Sequence, residues 1–304
     1  MRFEAAYCQM AGDGKARNQD ALFNGAEVRQ ALLNKARAVA LPPGDGVRLA
    51  VADGVFNSPG PHRASRWWMQ AFAERGRADA GFLRNEFPTF SQALEAEGLY
   101  GAACTFAAVD VRGDGHYTAC NVGDSRICQI GINGHWQQIS HDHTVWAQMA
   151  ADGDVPPDAD HAMLYDMLAE CLIADTEEGC FAVHAAQGRL APGECLLLCS
   201  DGLTDALTAD VLAQLWQTDE GLPARLEALR RAVPVWMPGD AFGDLGDSGG
   251  AVGDNLHEAV AGATLRIGAL TVQVSGSRHA EVHPTIPGPE NRAYLIDERV
   301  LVTG

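Results

Sequence analysis

Apolar, β-rich stretches of this sequence stop abruptly at an aspartate beside a glycine. Val47-Arg48-Leu49-Ala50-Val51-Ala52 runs into Asp53-Gly54, His116 to Val122 ends at Gly123-Asp124, and Glu194 to Cys199 halts at Ser200-Asp201-Gly202. Runs of this length and composition are strand signals, and the Asp-Gly pairs are turn signals. Thr105 to Val111 reads as a further strand, joined to the His116 run by the hairpin turn Arg112-Gly113-Asp114-Gly115. Ser125 to Ile132 continues toward a second hairpin signal, Asn133-Gly134. Strands in succession joined by tight turns pair antiparallel, so acids at their ends are held by sheets rather than by mobile loops.

Helical spacing recurs between these strands, over Ala64 to Arg75, Phe90 to Gly98, Thr144 to Ala151 and Leu222 to Ala232. Hairpins interleaved with helices predict an α+β sandwich rather than an alternating parallel fold. At 304 residues, 47% of them apolar, the chain suits one large domain with an appendage. We place the domain at 1–260 and a strand-like tail at 261–304, with a Gly- and Asp-rich loop from Pro238 to Asn255 before it. No run of 18 uncharged apolar residues occurs, so no membrane span is expected. The opening Met1-Arg2-Phe3-Glu4 lacks a signal-peptide pattern, and a cytoplasmic protein is expected. The formal net charge of −18 would repel a nucleic-acid backbone, which excludes that class of partner. Eight cysteines are present without a CxxC pair, which favours buried free thiols over a zinc site.

An aspartate at the end of a buried strand presents a fixed carboxylate, and the adjacent glycine lets a backbone carbonyl or a water approach. Hard cations such as Mg²⁺ and Mn²⁺ take oxygen ligands and keep several waters, so a few carboxylates suffice. Asp20, Asp53, Asp124 and Asp201 are the candidates. Spacing alone leaves ordinary turns as the alternative for each.

The motifs go further. Lys15-Ala16-Arg17-Asn18-Gln19-Asp20-Ala21 resembles the opening motif of the metal-dependent, type 2C serine/threonine phosphatases, and Ala52-Asp53-Gly54 resembles their second. Asn121-Val122-Gly123-Asp124-Ser125-Arg126 is similar to the family's central hairpin, and Ile139-Ser140-His141-Asp142-His143 to the segment after it. Leu197-Leu198-Cys199-Ser200-Asp201-Gly202-Leu203-Thr204-Asp205 is similar to a further signature, and the order of all five is the family's. The resemblance implies a four-layer αββα sandwich whose cleft holds two Mn²⁺ or Mg²⁺ ions. It implies carboxylates from Asp20, Asp53, Asp201 and Asp254, a carbonyl from Gly54, and a third ion near Asp124 and Asp205. The implied reaction is hydrolysis of phosphoserine and phosphothreonine in proteins by a metal-bridging water, in opposition to a Ser/Thr kinase.

The sequence departs from the family in three places. The family's phosphate-gripping arginine is Lys15 here, with Arg17 two residues later, so either cation could hold phosphate. Val55 to His62 replaces the usual Gly-rich stretch and offers His62 as a general acid toward the leaving oxygen. Asp254-Asn255 lies far beyond Asp201, with Asp240, Asp244 and Asp247 as rival ligands. Residues 263–304 loosely resemble an internal piece of a metallo-β-lactamase-fold hydrolase, too short to be that domain, and His279 and His283 read as one strand face. Two other functions stay open: a phosphatase-like module that binds without turnover, and a serine protease using Gly246-Asp247-Ser248-Gly249-Gly250.

Overall fold

Alternation along one strand decides how the layers stack. In Gly46–Ala52, Val47, Leu49 and Val51 point to one face and Ala50 and Ala52 to the other, and each face is buried by a different layer. The structure, a computed structural model, describes residues 2–10, 17–33, 35–154, 167–175, 181–216 and 220–233, together with two short strands further on. The chain divides into two compact units, Met1–Val235 and Trp236–Gly304.

In the first unit the strands are β1 (Ala5–Tyr7), β2 (Ala21–Phe23), β3 (Val28–Arg29), β4 (Arg37–Val39), β5 (Gly46–Ala52), β6 (Ala103–Cys104) and β7 (Phe106–Arg112). They continue with β8 (His116–Val122), β9 (Arg126–Ile130), β10 (Trp136–Gln138), β11 (Leu172–Ile173), β12 (His184–Arg189) and β13 (Cys195–Cys199). The helices are α1 (Pro61–Arg75), α2 (Ala80–Ala96), α3 (Val145–Asp152), α4 (Asp201–Thr204), α5 (Ala209–Trp216) and α6 (Leu222–Ala232). A six-stranded sheet has the order β12-β8-β7-β5-β2-β3, and a three-stranded sheet the order β10-β9-β13. Every pairing in both is antiparallel. In the second unit only β14 (Thr264–Ile267) and β15 (Leu270–Gln273) are described, as an antiparallel pair.

Three cores define the layers of the first unit. Ala50, Ala52, Phe106, Ala108, Cys120 and Val122 of the large sheet pack against Trp68, Phe72, Phe82 and Phe90 of α1 and α2. The opposite face, with Val47, Leu49, Ala107, Val109 and Ala119, meets Ile127, Leu196 and Leu198 of the small sheet. Ile130 and Leu197, on that sheet's far side, are covered by Leu207, Leu212, Trp216 and Leu229 around α5 and α6. Helix, sheet, sheet, helix is the αββα order that the sequence motifs imply. Arg48 lies on the α1 side of β5, and its guanidinium donates to the carbonyls of Phe72, Ala73 and Gly76 at 2.7–3.1 Å. It thereby caps the end of α1, where the helix carbonyls lack partners.

One helix differs from its sequence expectation. The pattern from Phe90 to Gly98 belongs to α2, which begins at Ala80 and carries Pro88 in its interior. Proline costs an internal hydrogen bond and crowds the preceding turn. Asp79 offsets this at the start by accepting from the Phe82 N–H at 2.8 Å, and buried Phe82, Leu83, Phe87, Phe90 and Leu94 hold the helix against the core.

Candidate functional site

Strand register brings the acids together. Ala21 pairs with Ala52 across β2 and β5, so the next residues outward, Asp20 and Asp53, leave the large sheet side by side. Cys199 pairs with Arg126 across β13 and β9, which sets Asp201 beside Asp124 at the matching end of the small sheet. The two ends meet: the Ser200 hydroxyl donates to Asp20 Oδ2 at 3.0 Å, and the Asp53 carboxyl lies within hydrogen-bonding reach of both Asp20 and Asp201. Asp205, at the end of α4, donates its backbone N–H to the Asp201 carbonyl at 2.8 Å. Asp20, Asp53, Asp124, Asp201 and Asp205 therefore lie together at one edge of the sandwich.

Crowding of like charges shapes their protonation. Burial, then the neighbouring Asp20 and Asp201 carboxylates, hold the Asp53 carboxyl far above the ordinary aspartate range. Burial, then Asp201, with Asp142 and Asp205 adding to it, pushes Asp124 up to about 7. Among the described residues no group of three His, Cys, Asp or Glu side chains stands ready to hold a metal ion. The carboxylates meet one another instead. Their chemistry fits a hard cation nonetheless: the donors are all oxygen, and positive charge among them would offset the repulsion that keeps Asp53 protonated. Gly54 adds a steric reason for its own identity. A Cβ there would stand 2.6 Å from the Pro61 carbonyl oxygen and 2.8 Å from that of Gln19, so only glycine lets these backbones close beside Asp53.

Several supporting residues have no chemistry of their own and escape a search for ligands. Thr105 donates its N–H to the Asp53 carbonyl at 2.8 Å, accepts the Asp53 N–H on Oγ1 at 3.0 Å, and shares a 2.7 Å hydroxyl contact with Ser125. Both side chains are buried. Asn121, fully buried, donates to the carbonyls of Gly123 and His141 and accepts the His141 N–H. His143 Nδ1 accepts the Gly123 N–H at 3.0 Å, and Arg126 grips Asp142 through Nε at 2.8 Å. The signal for Asn121, Ser125, Arg126, Asp142 and His143 is present as motif letters, not as ligand types, and Thr105 carries no signal beyond its place at the start of a strand.

Of the two candidate cations, Arg17 is described and Lys15 lies outside the described residues, as do Asp240, Asp244, Asp247, Ser248, Asp254, His279 and His283. Arg17 Nη1 donates to His62 Nε2 at 2.7 Å. Burial and the charges of Arg17 and Arg63 lower the His62 pKa, so the imidazole is a neutral acceptor at Nε2. No helix among the described residues is long and apolar enough to cross a membrane.

No protein-family profile matches the chain, and no curated protein matches it by sequence. Solved structures do match. The serine/threonine phosphatase Stp1 from Staphylococcus aureus shares 18% identity over 76% of this chain and 89% of its own, at a TM-score of 0.58. The catalytic domain of the phosphatase PstP, solved with two manganese ions, shares 22% over 76% and 92%, at 0.54. The PPM Ser-Thr phosphatase MsPP from Mycobacterium smegmatis, solved with cacodylate, shares 25% over 77% and 90%, at 0.54. Layer order, antiparallel sheets and these likenesses agree with the motifs: the chain has the fold of the type 2C, or PPM, serine/threonine phosphatases.

Proposed function

We propose that this protein is a metal-dependent serine/threonine phosphoprotein phosphatase. The observation that carries the reading is the convergence of Asp20, Asp53 and Asp201 from the ends of two facing sheets. Asp20, Asp53 and Asp201, the Gly54 carbonyl and, from the sequence motif, Asp254 would hold two Mn²⁺ or Mg²⁺ ions, with Asp124 and Asp205 beside a third. Such ions supply Lewis acidity and a nucleophile from water at neutral pH. The protein's part is to fix the carboxylates on strand ends, to close the Gln19, Gly54 and Pro61 backbones around them, and to face the phosphate oxygens with Arg17 and Lys15. Manganese in the PstP domain supports the choice of cation. The names of the fold relatives as serine/threonine phosphatases support this substrate class, and the opposing partner would be a Ser/Thr kinase in the cytoplasm.

The test is hydrolysis of p-nitrophenyl phosphate and of a phosphoserine peptide. We expect activity with Mn²⁺ or Mg²⁺ and none in excess EDTA. Undiminished hydrolysis in EDTA would refute the metal reading. Phosphate binding without turnover at any metal concentration would favour the binding-module alternative, to which the altered stretch Val55 to His62 lends support. Retained activity in Ser248→Ala sets the protease alternative aside.

A further inference from the structure

His62 stands where the sequence offers a proton donor, yet its contact is that of an acceptor. Arg17 has no lone pair to give, so the 2.7 Å contact to Nε2 is a guanidinium N–H donating to an unprotonated nitrogen. The backbone beside each partner is held by hydrogen bonds. The Ser65 hydroxyl donates to the Gln19 carbonyl at 2.5 Å, and Gln30 Nε2 donates to the His62 carbonyl at 2.9 Å and to Ser65 Oγ at 3.2 Å. Those bonds staple the segment leading into Asp20 to the first turn of α1, with Gly54 closing the third side. Arg63, the next cation along, is turned away: its Nε donates to Glu97 at 2.9 Å. Arg17 is exposed, and one of its five N–H groups is spent on His62, which leaves an edge for a planar, two-point contact.

We propose that His62 is a positioning residue that holds Arg17 as the phosphate-gripping arm of the site. This deepens the phosphatase reading and rests on it. A long arginine side chain loses considerable rotamer entropy when it binds an anion, and an arm already held by an imidazole loses less. Its role is separable from general acid catalysis by the leaving group. A general acid matters for phosphoserine, whose alkoxide leaves poorly, and hardly at all for p-nitrophenolate. A phosphate-orienting residue matters equally for both.

The experiment compares the full-length wild type with His62→Ala, His62→Gln, Arg17→Ala and the double variant His62→Ala/Arg17→Ala. Read out are KM and kcat on p-nitrophenyl phosphate and on a phosphoserine peptide, and the dissociation constant of inorganic phosphate by calorimetry with Mn²⁺ present. We expect His62→Ala to raise both KM values and the phosphate dissociation constant about tenfold, the order for one preoriented charge-assisted hydrogen bond. The double variant should be no worse than Arg17→Ala, and His62→Gln, which keeps an acceptor, should recover most of the loss. A kcat loss confined to the phosphoserine peptide would overturn the proposal in favour of a general acid. Additive losses in the double variant, or unchanged phosphate affinity in both single variants, would also overturn it. If the wild type binds phosphate but turns over neither substrate, the phosphatase reading fails while the affinity comparison still decides the role of His62.

Discussion

Without divalent cations this protein should become less stable as the pH rises, the reverse of what a carboxylate paired with a base contributes. Asp53 and Asp124 both have folded pKa values above the ordinary aspartate value of about 4. Between the two values the unfolded chain has already released the proton that the folded chain still holds. Unfolding then releases protons, and each increment of pH favours the unfolded state. For Asp124, raised to about 7, the loss between pH 4 and pH 7 is at most about 4 kcal/mol. Asp53 goes on losing stability above pH 7. Four kcal/mol corresponds to roughly 8–16 °C in the melting temperature of a domain of this size. His62 and His143, whose pKa values are lowered, act in the opposite sense: their contribution is lost as the pH falls below about 6.5. The decisive comparison is therefore wild type against Asp124→Asn, in which only the Asp124 contribution disappears while those of Asp53 and the histidines remain. Thermal unfolding by circular dichroism in EDTA at pH 5, 6, 7 and 8 reads it. Wild type should lose stability relative to Asp124→Asn as the pH rises, and millimolar Mn²⁺ should remove much of that difference at pH 8. Parallel curves for the two proteins in EDTA would refute the reasoning, because burial and like charge would then not be what sets Asp124.

Asp53→Asn and Asp201→Asn should each lower turnover by about a hundredfold or more with the fold intact; steady-state kinetics beside a circular dichroism spectrum checks both. Thr105→Val, which leaves the Asp53 N–H and the Ser125 hydroxyl without their partner, should cost about 1–3 kcal/mol in urea denaturation, and Thr105→Ser should restore most of it.

The strands carrying Asp53, Asp124 and Asp201 were legible because an apolar run before an Asp-Gly pair is a local pattern. Which acids meet was not local. The Asp20–Asp53 neighbourhood follows from Ala21 pairing with Ala52, and the Asp124–Asp201 neighbourhood from Arg126 pairing with Cys199. Neither pairing is joined by a short turn, so only the family motifs anticipated them. Asp20 lacks even the local signal, since it precedes a strand of three residues rather than ending a long one. The helical signal covers only the end of α2, whose first ten residues include Pro88, and packing of five buried side chains overrides the propensity there. His62 reads as a lone histidine in a loop; its acceptor role comes from an arginine 45 positions away.

The motif around Asp124 shows how chemistry and scaffold divide between adjacent letters. Gly123 has φ of 90°, a left-handed conformation, and a Cβ there would lie 2.7 Å from Thr105 Cγ2, so no other residue fits against the residue that clamps Asp53. That turn exposes backbone groups in a buried place, and each is answered by a motif side chain. Asn121 takes the Gly123 carbonyl, His143 takes the Gly123 N–H, and the Ser140 hydroxyl takes the N–H of Ile127 at 2.9 Å. Burial without those partners would cost about 1–3 kcal/mol for each group. Ser125 then reaches Thr105, which ties the Asp124 turn to the Asp53 turn through a hydroxyl pair that water does not reach. A carboxylate that must stay within a fraction of an ångström of a cation needs this kind of support more than it needs a neighbouring ligand. The polar letters around Asp124 are thus accounted for by hydrogen bonds, Asn121 and His143 to backbone groups of Gly123 and Ser125 to the Thr105 hydroxyl.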